Sequence, residues 1–236
     1  PFPIYLGTNE KQFDFENVKQ IFSNRKTTWS DELTVILKQI PEKYIIIILE
    51  DYFIYKTVIN EEIFKLIAIM EEQDAAYMKL GAFPKKYDSL WPHTILANEP
   101  GIGIIQKESK YRLSLQTAIW NKEILLNLIK PTENPWEFEI EGSKRSNLIK
   151  NPFLCVIANP SEKKVHGPIK YYCTALSAGK WMRGALKLCE KENIKINLKD
   201  RPVESLYEQL ARKFYIALPI NLRKVVDYGK HKLKNK

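Results

Sequence analysis

An α/β fold with a mixed, mainly parallel central sheet flanked by helices is what this 236-residue sequence predicts, and three observations carry the prediction. Residues 44–49 form an uninterrupted apolar run, with isoleucine at 45–48, which suits a strand buried on both faces because no polar residue alternates. Segments with apolar residues at helical spacing alternate with short apolar runs along the first two thirds of the chain. Prolines 41 and 131 fall where helical patterns end. Such alternation favours a sheet with helices on its faces.

Taken in order, residues 3–6 read as a short strand running into the turn Gly7-Thr8-Asn9. Residues 15–22 carry apolar side chains at 15, 18, 21 and 22, which is helical spacing. Thr27 to Glu32 offers a capping hydroxyl and acidic first-turn residues for a helix whose apolar face is Leu33, Ile36, Leu37 and Ile40. The strand over 44–50 follows, then a helix over 59–72 and a strand over 75–80. Residues 81–100 hold three prolines, Trp91 and His93 and read as an extended loop. Residues 102–105 and 111–115 are placed as a hairpin, and 117–129 as a helix. Asn134 can cap a helix with Pro135 in its first turn. A strand over 153–158, helices over 182–192 and 203–218, and a basic tail over 230–236 complete the reading.

Cys155, Cys173 and Cys189 are odd in number and lack CxxC spacing, which argues against a disulfide framework or a zinc cluster and for a reducing compartment. The longest apolar run is about half of what a bilayer-spanning helix requires, and no leader peptide is legible. A cytoplasmic location is therefore expected. Charge is uneven: residues 1–142 hold 16 Lys/Arg against 21 Asp/Glu, whereas residues 143–236 hold 21 against 7. The basic second part calls for an anionic partner, which leaves a phosphorylated ligand, an anionic membrane or a polyanion.

Two clusters and one histidine carry candidate chemistry. Glu50 and Asp51 follow the apolar run directly, and adjacent carboxylates at a strand end are costly unless they bind a cation or accept hydrogen bonds. Mn²⁺ or Mg²⁺ would suit them, since such ions take one or two protein carboxylates and complete their shell with phosphate oxygens and water. Glu137 and Glu139 lie beside Trp136 and Phe138 and could accept a proton from an attacking hydroxyl. On a regular helix they point about 200° apart, so only one faces a given substrate. His166, before a Gly-Pro turn, could complete a metal shell or touch a diphosphate.

Together the Glu50-Asp51-Tyr52-Phe53 strand end, the run Tyr111 to Gln116 leading into Ala118-Ile119-Trp120, the Pro135 to Glu139 cluster with Gly142-Ser143, and Gly179-Lys180-Trp181 resemble a glycosyltransferase-like family of bacterial surface-polysaccharide gene clusters. The resemblance spans most of residues 1–195. It implies the A-type, nucleotide-diphospho-sugar transferase-like fold and transfer of a sugar from a nucleotide sugar to a saccharide or lipid-linked acceptor. By that analogy Glu50 and Asp51 stand where the Asp-x-Asp motif holds the metal and the donor diphosphate. Glu137 or Glu139 stands where an acidic residue activates the acceptor, and His166 matches a late metal-binding histidine. Lys144, Arg145 and Lys180 are then placed to assist the diphosphate. Two departures stand out: Asp-x-Asp spacing is missing, and the strand and loop that grip the base fall upstream of Pro1.

The domain reading is a glycosyltransferase-like unit over 1–195 and a helical basic extension over 196–236. The helix at 203–218 with its basic tail offers peripheral contact with an anionic membrane. The competing reading is a non-catalytic binder of nucleic acid or another polyanion, or an inactive relative of the fold. The acidic first part of the chain opposes a polyanion, and no nucleic-acid recognition motif is legible, so no nucleic-acid partner is expected.

Overall fold

The computed structural model describes residues 2–23, 27–81, 92–157, 167–172 and 174–218. The chain is mixed α/β and divides into two compact units. One lies within Pro1–Leu49 and Lys56–Lys170, the other within Glu50–Tyr55 and Tyr171–Lys236.

In chain order the first unit opens with β1 (Ile4–Thr8), β2 (Val18–Phe22), α1 (Trp29–Lys38) and β3 (Tyr44–Ile47). After β4 (Phe53–Ile54), which belongs to the second unit, come α2 (Asn60–Glu72), β5 (Tyr77–Lys79), β6 (His93–Leu96), β7 (Glu99–Ile105), β8 (Ala118–Asn121), α3 (Lys122–Leu128), α4 (Pro135–Ser146) and β9 (Phe153–Val156). The second unit continues with β10 (Tyr171–Tyr172), β11 (Leu176–Ser177), β12 (Lys180–Trp181), α5 (Arg183–Lys191) and α6 (Leu206–Ala217).

Six strands form the main sheet of the first unit, in the order β3-β8-β5-β9-β7-β6. Only the β5–β9 junction is parallel; the other four are antiparallel. This corrects the expectation of a mainly parallel sheet. The reason is local: β6 and β7 fold as a tight hairpin through Ala97 and Asn98, with Asn98 at φ 65°, and β8 enters antiparallel between β3 and β5.

The isoleucine run also departs from its expected central place. Among the described residues β3 lies at one edge of the sheet, paired with β8, and its residues are half-buried. An apolar run reports burial in general and cannot distinguish two covered faces from one face plus a packed flank. Residues 15–22 form no helix. Asn17 turns at φ 61°, and β2 then pairs in parallel with β1, with Gln20 donating its amide to Thr8 Oγ1 at 2.9 Å. Val18 and Ile21 suit such a strand as β-branched residues.

The expected helix over 117–129 is a strand followed by a helix. β8 runs straight into α3, and the boundary is Asn121, whose side chain accepts the Ile124 N–H at 3.3 Å as an N-cap. Residues 111–115 do not pair as a strand; β7 takes β6 as its hairpin partner instead. Residues 82–91 of the expected proline-rich loop, Trp91 among them, lie outside the described residues, and 93–96 are strand.

The core of the first unit is aromatic where the sheet meets α1 and α4. Tyr77 sits edge-on to Trp120 at 4.4 Å between ring centroids and 5.7 Å from Phe153. Phe138 reaches in from α4, 5.7 Å from Trp29 and 6.3 Å from Trp120. Phe138 and Trp136 lie two residues apart on α4, yet Phe138 is fully buried and Trp136 is 75% exposed. Phe138→Ala should cost about 3 to 5 kcal/mol in urea unfolding because it leaves a cavity, whereas Trp136→Ala should change stability by no more than about 0.5 kcal/mol.

Candidate functional site

Helix α4 builds the site of the first unit. Its N-terminus carries the expected cap in full: Asn134 Oδ1 accepts the Glu137 N–H at 3.0 Å, and Glu137 Oε2 accepts the Asn134 N–H at 2.9 Å. The Glu137 carboxylate is thus engaged at the helix end and exposed. Glu139 points the other way. Its carboxylate accepts the Leu115 N–H at 2.7 Å, and burial raises its pKa above the usual carboxylate value, offset in part by that same N–H.

One turn on, Ser143 Oγ accepts the Leu113 N–H at 3.2 Å and donates to the Glu139 carbonyl at 2.6 Å. A further turn on, Ser146 receives Arg112, whose Nη1 donates to its carbonyl and lies 3.3 Å from its Oγ. Arg112 also stacks over Phe153, 4.2 Å from the ring centroid. Gly142 lies between these contacts on α4, against the side chains of Phe138 and Leu113. Residues 139, 143 and 146 therefore hold residues 112–115 along one helix face, spaced by i+4 and i+3. Below them Tyr77 Oη lies 3.4 Å from the Ser114 carbonyl and hydroxyl, and burial pushes its phenol pKa up.

The cations of α4 already have partners. Arg145 makes a two-pronged pair with Glu133, at 2.7 and 2.8 Å, and donates Nε to the Leu128 carbonyl at 2.9 Å. Lys144 pairs with Glu141 at 2.6 Å on the surface. Of the two aromatics beside these glutamates, Phe138 is a core residue and Trp136 is exposed.

The second unit holds the other cluster. Glu50 and Asp51 form a turn rather than a strand end. Glu50 is exposed and takes no hydrogen bond among the described residues. Asp51 is half-buried: its Oδ2 receives Thr174 Oγ1 at 2.5 Å, and its carbonyl receives the Ala175 N–H at 2.7 Å. Thr174 sits at φ 64°, a conformation that a β-branched residue rarely adopts. From Ala175 the register passes to Met182, whose N–H donates to the Ala175 carbonyl at 2.9 Å. Gly179-Lys180-Trp181 belongs to the β11–β12 hairpin, whose two-residue turn, Ala178 and Gly179, has φ 48° and 76°. Trp181 then lies 6.3 Å from Phe53 between ring centroids. Lys180 pairs with Glu208 and is the first cause holding that carboxyl down to about 2, ahead of the Ser205 N–H.

His166 lies outside the described residues. No cluster of three His, Cys, Asp or Glu side chains able to hold a metal ion occurs among the described residues. Thr174, Ser114, Ser143 and Tyr77 escape a reading of the sequence, since single hydroxyls carry no pattern. The one available hint was the serine in each of two neighbouring motifs.

No family model matches this sequence, and no curated protein matches it. Among solved structures, UDP-glucose pyrophosphorylase complexed with UDP-glucose is similar over 66% of this chain and 60% of that chain, at 12% identity and a TM-score of 0.40. Apo UDP-glucose pyrophosphorylase is similar over 66% and 57%, at 13% identity and the same TM-score of 0.40. This chain spans about 60% of the length of those structures.

The raised pKa of Glu139 has a definite sign in stability. The folded state holds the proton more tightly than the unfolded state, so this residue's contribution is full below the ordinary value of 4.5 and is lost as pH rises through the higher folded value. Thermal unfolding of Glu139→Gln should therefore show the variant gaining on the wild type as pH rises above 4.5. The pair on α4 gives a second expectation. Arg145→Met leaves the buried Glu133 without its counter-ion, with the Lys130 N–H still donating to it at 3.1 Å, which should cost about 3 kcal/mol in urea unfolding.

Proposed function

We propose that this chain is a glycosyltransferase that moves a sugar from a nucleotide-diphosphate donor to a saccharide or lipid-linked acceptor in surface-polysaccharide synthesis. One observation carries the reading: the four separate motifs of the sequence resemblance meet in pairs. Residues 111–116 and 135–143 are joined through Leu113 with Ser143 and Leu115 with Glu139. Residues 50–53 and 179–181 are joined through the Phe53–Trp181 ring contact. Motifs scattered in sequence but adjacent in space are what a site demands.

Within this reading Glu139 takes the proton of the acceptor hydroxyl. It is the glutamate of the pair that is half-buried, with a pKa raised toward the working range of a base. The Leu115 N–H fixes the orientation of its carboxylate. Glu137 shapes the helix end instead, and the exposed Trp136 offers an apolar face for a sugar ring.

Glu50 and Asp51 fit a divalent ion by the chemistry of their donors: hard carboxylate oxygens, one of them on an exposed side chain that is unengaged among the described residues. His166 is the further ligand this reading nominates, with phosphate oxygens and water supplying the rest. When bound, Mn²⁺ or Mg²⁺ neutralises the charge that develops on the departing nucleoside diphosphate. Thr174 is the positioning residue for Asp51. Lys180, in the same unit as Glu50 and Asp51, assists the diphosphate by exchanging its carboxylate partner for it. Arg145, committed to Glu133, maintains α4.

Thermal-shift titration with nucleoside diphosphates and nucleotide sugars, with and without Mn²⁺, should reveal a ligand that raises the melting temperature only in the presence of the ion. Glu50→Ala and Asp51→Ala should each abolish that shift; unchanged binding in both variants sinks the donor-site assignment. With a donor in hand, Glu139→Gln should lower the transfer rate by about 10² to 10⁴ while leaving donor binding intact, and a fully active variant would remove Glu139 from the mechanism.

A further inference from the structure

Helix α6 is turned inside out relative to an ordinary surface helix. Leu206, Leu210 and Phe214 follow one another at i+4 and so share a stripe, with Tyr207 beside it. These four are 62%, 63%, 69% and 80% exposed, respectively. The charged side faces inward: Glu208 pairs with Lys180, and Arg212 donates to both oxygens of the buried Glu204 at 3.1 Å. The usual amphipathic helix buries its apolar stripe. Here polar contacts anchor the helix and the apolar stripe is left to a partner.

We propose that this stripe and the basic segment after it seat the protein on an anionic lipid bilayer. Charge selects that occupant. Residues 219–236 carry six Lys/Arg against one acidic residue, Asp227. Exposed Lys213 lies next to Phe214 in the helix. Beside Leu206 opens a groove of about 270 Å³ lined by Arg183, Lys187, Leu186 and Val203, with Glu190 as its acidic member. Lys187 is exposed and makes no ion pair among the described residues. Apolar side chains bordered by cations match the boundary between acyl chains and anionic headgroups. A second copy of the chain on this stripe would instead bring two strongly basic segments together. Ile194 and Leu198 are exposed beside Lys195 and Lys199 in the segment before α6, where Lys191 pairs with Glu192 and Asp200 is a further acidic neighbour.

The inference does not depend on sugar transfer, and its test needs no substrate. The full 236-residue chain should co-sediment with vesicles of phosphatidylcholine mixed with phosphatidylglycerol, more weakly at high salt, and not with phosphatidylcholine alone. Leu210→Ser combined with Phe214→Ser should weaken vesicle binding by about tenfold or more, with circular dichroism and melting temperature unchanged because both side chains are exposed. Absence of binding to the mixed vesicles, equal binding to the neutral ones, or wild-type binding by the double variant would each overturn the proposal. So would self-association, seen by analytical ultracentrifugation, that the double variant abolishes.

Discussion

The first unit depends on a stretch of buried chain that has no strand to join. Residues 112–115 are buried, yet only from Ala118 does the chain pair in the sheet. Peptide groups removed from water must find partners or forfeit the free energy of a lost hydrogen bond. Helix α4 supplies those partners through side chains: Glu139 for the Leu115 N–H and Ser143 for the Leu113 N–H, with Arg112 tied back to Ser146. Phe138, on the same helix, completes the aromatic core below. Loops rarely run through an interior for this reason. Where one does, the helix that satisfies it has little freedom to move.

That constraint also shifts a titration. A carboxylate recruited to a buried backbone N–H is partly desolvated, and desolvation raises its affinity for a proton. Glu139 thus holds a proton more tightly as a consequence of the packing, while Glu137, two residues earlier, stays exposed and serves the helix end. The second unit applies similar logic on a smaller scale. Asp51 binds the segment that returns to it twice, by its carbonyl to Ala175 and by its carboxylate to Thr174. Thr174 is held in a left-handed conformation, which persists only where neighbours over-determine it.

Local signals were legible where they acted alone. The Asn134–Pro135 start of α4, the apolar spacing of α2 and the breaks near Pro41 and Pro131 each predict the element found there. They failed where two elements shared one apolar run. Residues 117–129 satisfy helical spacing, yet a strand occupies the first part because β3 and β5 both needed a partner; Asn121 marked the division. The face of α4 that carries the site was illegible for another reason. Its contacts are made by Glu139, Gly142, Ser143 and Ser146, a mixed face that hydropathy reads as surface.

The sequence by itself determined the acidic pair at 50–51, the capped helix with its two glutamates, the basic second part and the periodicity of α6, because each is written in adjacent or helically spaced residues. Tertiary structure decided what those features face. It set the mostly antiparallel sheet, chose Glu139 over Glu137 as the inward carboxylate, committed Arg145 to Glu133, and turned the charged side of α6 inward. Periodicity says only that a helix has two sides. Which side is buried depends on hydrogen-bond and charge partners supplied by residues distant in the chain.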